Sequence, residues 1–214
     1  VLLRDRLEQA VERLNPSKPD EAKKQAIKML YELNSPDNVS NNENFHNYLI
    51  NGIEIEYLDN GNMKGTRINL VDYKNPTKNE FLVVNQLVVE YNGKIKRPDV
   101  IIYVNGIPLV VFELKNPRDE NATIRTAHSQ FQTYKKYIPN LFIYNSLLIV
   151  ADGLDAKYGS LTAPYTRFMN WKTKDGIKED ENTEPQINTL VKGMLNPETL
   201  LELIKDFTVF EQDK

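Results

Sequence analysis

From Leu2 to Leu14 the apolar residues Leu3, Leu7, Ala10, Val11 and Leu14 recur at helical spacing, and Asn15-Pro16 ends the run. A second helix is predicted after Pro19, turning Ala22, Ala26, Ile27 and Leu30 inward and stopping near Asn34-Ser35-Pro36. A third runs from about Asn41 to Ile50, closed by Asn51-Gly52. Beyond Gly52 the pattern becomes extended: Ile53 to Leu58, Arg67 to Val71, Phe81 to Tyr91, Pro98 to Val104 and Pro108 to Lys115 read as strands. Asn60-Gly61 and Asn92-Gly93 are turn signals between them. A helix from Ala122 to Tyr137 then leads to an apolar strand, Leu147 to Ala151. Short strands are expected at Tyr158 to Leu161 and Phe168 to Trp171, then a polar loop from Thr173 to Glu184 and helices at Glu184 to Met194 and Pro197 to Phe207. This order implies an α/β sandwich around one central mixed sheet flanked by helices, with additional N- and C-terminal helices.

Composition narrows the class. The chain has 214 residues and 40% hydrophobic content, enough for one sizeable core. No apolar run approaches the roughly 20 residues that cross a bilayer, so no membrane partner is expected. With no cysteine, disulfides and Cys-based zinc sites are excluded and a reducing cytoplasm is favoured. The net charge of −3 is not that of a typical nucleic-acid binder. Locally, however, Lys115, Arg118, Arg125, Lys135 and Lys136 face only Asp119 and Glu120 in the segment from Lys115 to Lys136. Such a patch suits phosphate contact, or is simply a solvated helix face.

The candidate chemistry lies in two apolar runs joined by Asn105-Gly106-Ile107, where Asp99, Glu113 and Lys115 interrupt strands that are otherwise apolar on both faces. Alternation puts Glu113 and Lys115 on one face with Leu114 on the other. A three-residue loop, Asn105 to Ile107, sets Asp99 opposite Glu113; a two-residue Asn-Gly turn pairs Asp99 with Phe112 and turns it away. In the first register the two carboxylates repel unless a cation lies between them. A hard divalent ion fits: Mg²⁺ prefers oxygen ligands at about 2.0–2.1 Å and keeps several waters, so Asp99, Glu113 and the Leu114 carbonyl suffice. Mn²⁺ is expected to substitute. The ion would polarise a scissile phosphate, and Lys115 could stabilise the charge developing there. The competing reading is a buried ion pair of Lys115 with Glu113 or Asp99 in an inert core.

These residues resemble a known family, the restriction subunit of type I restriction-modification enzymes, with a nuclease site of the PD-(D/E)xK, RecB-like kind. The resemblance is carried by Arg97-Pro98-Asp99, by Val111-Phe112-Glu113-Leu114-Lys115-Asn116-Pro117 and by Gln130-Phe131-Gln132-Thr133-Tyr134. Further likeness lies in Phe45-His46-Asn47-Tyr48-Leu49, Phe81-Leu82-Val83-Val84-Asn85-Gln86, Asp119-Glu120-Asn121-Ala122-Thr123 and Gly159-Ser160-Leu161-Thr162-Ala163, so it covers almost the whole chain. It implies a restriction-endonuclease-like core and a Mg²⁺-dependent endonuclease acting on double-stranded DNA. Asp99, Glu113 and Lys115 would be the catalytic set, and Gln130 and Tyr134 accessory residues on one helical face. Glu43, an acid on an early helix, is a weaker candidate, for which a solvated helix position is the favoured reading. His46 is expected to pack or cap, and no Ser-His-Asp chemistry is supported.

The resemblance also implies methyltransferase and specificity subunits as partners in the full-length protein, a prokaryotic cytoplasmic setting, and target reading elsewhere. ATP would serve only a helicase-type motor, whose G-x-x-x-x-G-K-[ST] phosphate loop is not found in this sequence. The expected organisation is a helical segment over 1–51, a nuclease core over 52–172, and a linker with helices over 173–214 leading towards the motor. Two other functions compete: a non-catalytic module that holds DNA or docks subunits, and a stand-alone repair or defence nuclease of the same fold.

Overall fold

Apolar spacing accounts for the opening helices. In α1 (Arg4–Leu14) Leu7, Ala10 and Val11 are buried; in α2 (Asp20–Tyr31) Ala22, Ala26 and Leu30 are. In α3 (Asn38–Asn51) the Asp37 side chain accepts the Val39 and Ser40 N–H groups, an N-cap that starts the helix earlier than the apolar pattern alone suggests. A computed structural model describes residues 1–116, 123–180 and 184–211.

Strands β1 (Ile53–Asp59) and β2 (Asn62–Ile68) form a separate hairpin. Next come β3 (Phe81–Asn85), a small hairpin of β4 (Val89–Tyr91) and β5 (Lys94–Lys96), then β6 (Val100–Val104) and β7 (Ile107–Leu114). Helices α4 (Ile124–Tyr137) and α5 (Pro139–Phe142) precede β8 (Leu147–Ala151) and β9 (Ala156–Gly159); α6 (Gln186–Thr189) and α7 (Pro197–Asp206) follow. The central sheet has the order β3-β6-β7-β8-β9. Only β7 and β8 pair in parallel, so the sheet is mixed as expected.

Each face of the sheet buries its own core. On one, Ile102, Val110 and Phe112 pack with Leu7, Leu30 and Phe45 of the first three helices and Leu200, Leu201 and Ile204 of α7. On the other, Ile101, Val111 and Leu148 pack with Phe131, Tyr134 and Leu141 of α4 and α5. The second face is the one that matters for the site.

Several expected boundaries move. The run from Phe81 to Tyr91 splits into β3 and β4, because Gln86 adopts φ 52° and sends its N–H to the Asp99 carbonyl. The strand expected over Arg67 to Val71 begins at Asn62 instead, directly after the Asn60-Gly61 turn. Phe168 to Trp171 makes only an isolated bridge, Tyr158 to Met169, after a 3-10 turn at Tyr165–Arg167. The helix expected from Glu184 to Met194 changes to a π turn at Leu190–Met194, where Gly193 lies against Trp171 and the Thr173 carbonyl with no room for a Cβ. Arg118, Asp119, Glu120, Asn121 and the expected helix start at Ala122 lie outside the described residues.

Candidate active site

The β6–β7 turn is the two-residue Asn105-Gly106 turn, with φ of 52° and 78° and Val104 opposite Ile107. Such a turn needs two positive φ values, which Asn and Gly supply at least cost. Buried Asn105 locks it: its amide nitrogen donates to the Leu70 carbonyl and Asn79 Oδ1, and its oxygen accepts from the Glu80 N–H and Arg13 Nη2.

In a regular ladder this turn would pair Asp99 with Phe112. It does not, because the register shifts between Ile102 and Tyr103: Tyr103 faces Pro108, whereas Ile102 faces Val110. Leu109 is the extra residue of a β-bulge. Proline lacks the N–H that the ladder requires, and the Leu109 carbonyl is taken instead by the Ser146 N–H at 2.8 Å. Leu109 and Val110 therefore both face the first core. Beyond the bulge Val100 faces Phe112, and one further step sets Asp99 against Glu113 on the α4 side. The three-residue loop expected for this register is replaced by a shorter turn plus a bulge.

The side chains then form one connected set. Asp99 Oδ2 accepts the Leu114 backbone N–H at 2.8 Å and Oδ1 accepts the Gln86 amide at 2.7 Å. Glu113 Oε1 accepts Lys115 Nζ at 2.8 Å, and Oε2 accepts the Tyr134 hydroxyl at 2.9 Å. Gln130 stands one turn before Tyr134 on α4, with its amide on the side of the Tyr134 phenol. Burial pushes the Glu113 carboxyl above its usual range; the Lys115 hydrogen bond opposes this, and the Asp99 charge adds to it. The same burial, with the Glu113 charge, raises the Tyr134 phenol.

Asp99, Glu113, Lys115, Gln130 and Tyr134 are thus brought together, with Leu114 between the two strand residues. Glu43 is not: its neighbour Asn42 donates to the Phe142, Ile143 and Asn145 carbonyls ahead of β8, whereas Glu113 pairs with Val150 near the end of that strand. His46 is buried against Phe210. His128 contacts the Ala163 carbonyl and packs on Phe168. Lys135 points at the Leu161 carbonyl, and burial lowers its ammonium to about 8. Sequence reasoning did not single out Gln86 as a candidate site residue; its signals were a polar position inside the run from Phe81 to Tyr91 and its place in the segment Phe81 to Gln86 that carries part of the family likeness. Among the described residues no group of three or more His, Asp or Glu side chains is gathered to hold a metal. A metal here would rest on two carboxylates with a backbone carbonyl. Surface cavities of about 490 and 720 Å³ lie away from these residues, beside Tyr73 and beside Lys24.

Residues 1–167 match the family model described as "Type I restriction enzyme R protein N terminus". The chain belongs to this family. The endonuclease subunit of the type I restriction enzyme HindI, from Haemophilus influenzae, is 40% identical over 100% of the chain and 20% of its own length. The putative type I restriction enzyme MjaIXP endonuclease subunit of Methanocaldococcus jannaschii is 33% identical over 100% of the chain and 22% of its own length. The EcoprrI endonuclease subunit of Escherichia coli is 29% identical over 73% of the chain. The chain thus spans about a fifth of the length of the first two relatives. No helix among the described residues is long and apolar enough to cross a membrane.

Proposed function

We propose that this chain is the nuclease portion of a type I restriction subunit, hydrolysing phosphodiester bonds of double-stranded DNA with Mg²⁺ at a PD-(D/E)xK site. The observation that carries this reading is the register: a bulge sets Asp99 against Glu113 on the face where Lys115, Tyr134 and Gln130 converge. A buried glutamate beside a second carboxylate is costly unless a cation compensates, and Lys115 is the only cation bonded to the pair among the described residues. Asp99, Glu113 and the Leu114 carbonyl would hold the ion. Bound there, Mg²⁺ would supply Lewis-acid polarisation of the phosphodiester.

The chain's own groups do the rest. Lys115, drawn from Glu113 towards a phosphate, would stabilise charge developing on its oxygens. Tyr134 holds the Glu113 carboxylate in place, and Gln86 and the Leu114 N–H hold Asp99. Through the larger subunit, the methyltransferase and specificity subunits would be its partners and would supply the target sequence.

Calorimetric titration with Mg²⁺ or Mn²⁺ tests the site. Binding to the wild-type protein and its loss in Asp99→Ala are expected; equal binding by both would leave an inert core ion pair, and with it a docking or DNA-holding module. Plasmid nicking separates the remaining alternative. Weak or no cutting by this chain alone is expected, and robust Mg²⁺-dependent digestion would point to a stand-alone nuclease.

A further inference from the structure

We propose that the DNA backbone is carried past this site by two clusters of unpaired cations and aromatic rings on the α4 face, one on each flank of Glu113. The inference rests on the nuclease reading and adds to it a route for the substrate.

The first cluster is built on the β4–β5 hairpin. Pairing of Tyr91 with Lys94 and of Val89 with Lys96 places these four side chains on one face of the hairpin, and Glu90 with Ile95 on the other. Val89 is buried in the α4-side core, so the lysines share its face and the acid points away. Lys96 Nζ lies 5.0 Å from the centre of the Tyr137 ring, and Lys136 Nζ lies 5.6 Å from it. Arg97 continues the strand two residues before Asp99, and its carbonyl lies 3.5 Å from the Tyr134 hydroxyl. The cluster therefore runs directly into the candidate site.

The second flank lies across the sheet. Glu113 pairs with Val150 and Val150 with Lys157, so Glu113 and Lys157 share a face two strands apart, about 10 Å. Lys157 Nζ lies 5.5 Å from the Tyr165 ring, and Arg125 of α4 lies 4.7 Å from the same ring.

None of these cations forms an ion pair with a described residue, in a chain whose net charge is −3. Several lysines on other surfaces do, Lys23 with Glu12, Lys64 with Asp59 and Lys172 with Glu179; Lys24 and Lys74 do not, and what sets the two clusters apart is the rings beside the cations and their place on the flanks of Glu113. Cations without carboxylates, four of them (Lys96, Lys136, Arg125 and Lys157) set over rings beside the candidate site, suit a polyanionic backbone: the rings orient them at little cost, and a phosphate meets no competing carboxylate.

The test is the salt dependence of binding to a short fluorescent DNA duplex, in EDTA so that metal plays no part. Each phosphate contact contributes about 0.9 to the slope of log affinity against log salt. Replacing Lys94, Lys96 and Lys136 by Ala should lower that slope by roughly 2–3 and weaken binding about tenfold at moderate salt. The triple Lys→Arg variant should retain the slope. Replacing Lys24, Lys28 and Lys74 by Ala, an equal loss of charge elsewhere, should leave it. An unchanged slope in the first variant, an equal fall in the control, or no DNA binding by the wild-type protein overturns the proposal; the first outcome would leave the cluster free for an acidic protein segment. Divalent-ion calorimetry on the same variants keeps the two readings apart, because loss of the salt slope with intact Mg²⁺ binding, and the converse, are different results.

Discussion

Glu113 is 5% exposed, and its burial raises its pKa against the pull of Lys115. A carboxyl whose pKa is higher folded than unfolded contributes stability that is complete below its unfolded pKa and is lost as the pH rises through the folded one. At neutral pH the ionised side chain therefore costs stability that Gln would not. Glu113→Gln should raise Tm at pH 7 by a few degrees, at roughly 2–4 °C per kcal/mol for a chain of this length, while abolishing divalent-ion binding. The gap should close towards about pH 4, where the wild-type carboxyl is protonated as well. Thermal denaturation at the two pH values checks this, and a lower Tm for the variant at pH 7 would show that Lys115 and Tyr134 more than offset the burial. That Asp99, Glu113 and Lys115 stand out in the sequence as candidates follows from the same cost: polar groups in strands apolar on both faces are conspicuous. Gln86 directly follows the half-buried β3, next to exposed Asn85, where a polar residue is ordinary.

The β6–β7 hairpin shows where legibility stops for elements. Its strands and its Asn-Gly turn can be read from residue types, but the register cannot, since a bulge depends on where carbonyls and N–H groups find partners, here Ser146, some 37 positions from Leu109 in sequence. Loop length and bulge act together, and arithmetic on the loop alone offers two registers when a third device exists. Helix α3 and the split of β3 from β4 are similar cases, the first decided by the Asp37 cap and the second by the contact of Gln86 with Asp99. The turn also anchors α1: the Gly106 carbonyl accepts the Leu3 N–H at 2.9 Å, and a Cβ on Gly106 would lie 2.7 Å from Leu7 N and 2.8 Å from the Leu3 carbonyl. With a φ of 78° added to that crowding, Gly106→Ala should cost about 2–3 kcal/mol. Urea denaturation measures it, and a loss under about 0.5 kcal/mol would mean that α1 yields freely.

At the scale of the molecule, the face of the sheet away from the site is covered by both ends of the chain at once. Leu200, Leu201 and Ile204 of α7 share a core with Leu7, Leu30 and Phe45, a juxtaposition that periodicity along the chain does not disclose. Leu201→Ala should therefore cost about 2–5 kcal/mol and shift a single cooperative transition; a separate early transition would show that α7 unfolds alone. The other face is left to α4 and to the carboxylate pair, and there the Leu114 N–H has a special standing. It donates to Asp99 Oδ2 at 2.8 Å, so a backbone proton is wired to a carboxylate oxygen of the candidate site. Its resonance in a ¹⁵N-correlated spectrum is accordingly a native reporter: any ion or phosphate that draws charge from Asp99 must move that peak, without a label, a dye or a cleavage event.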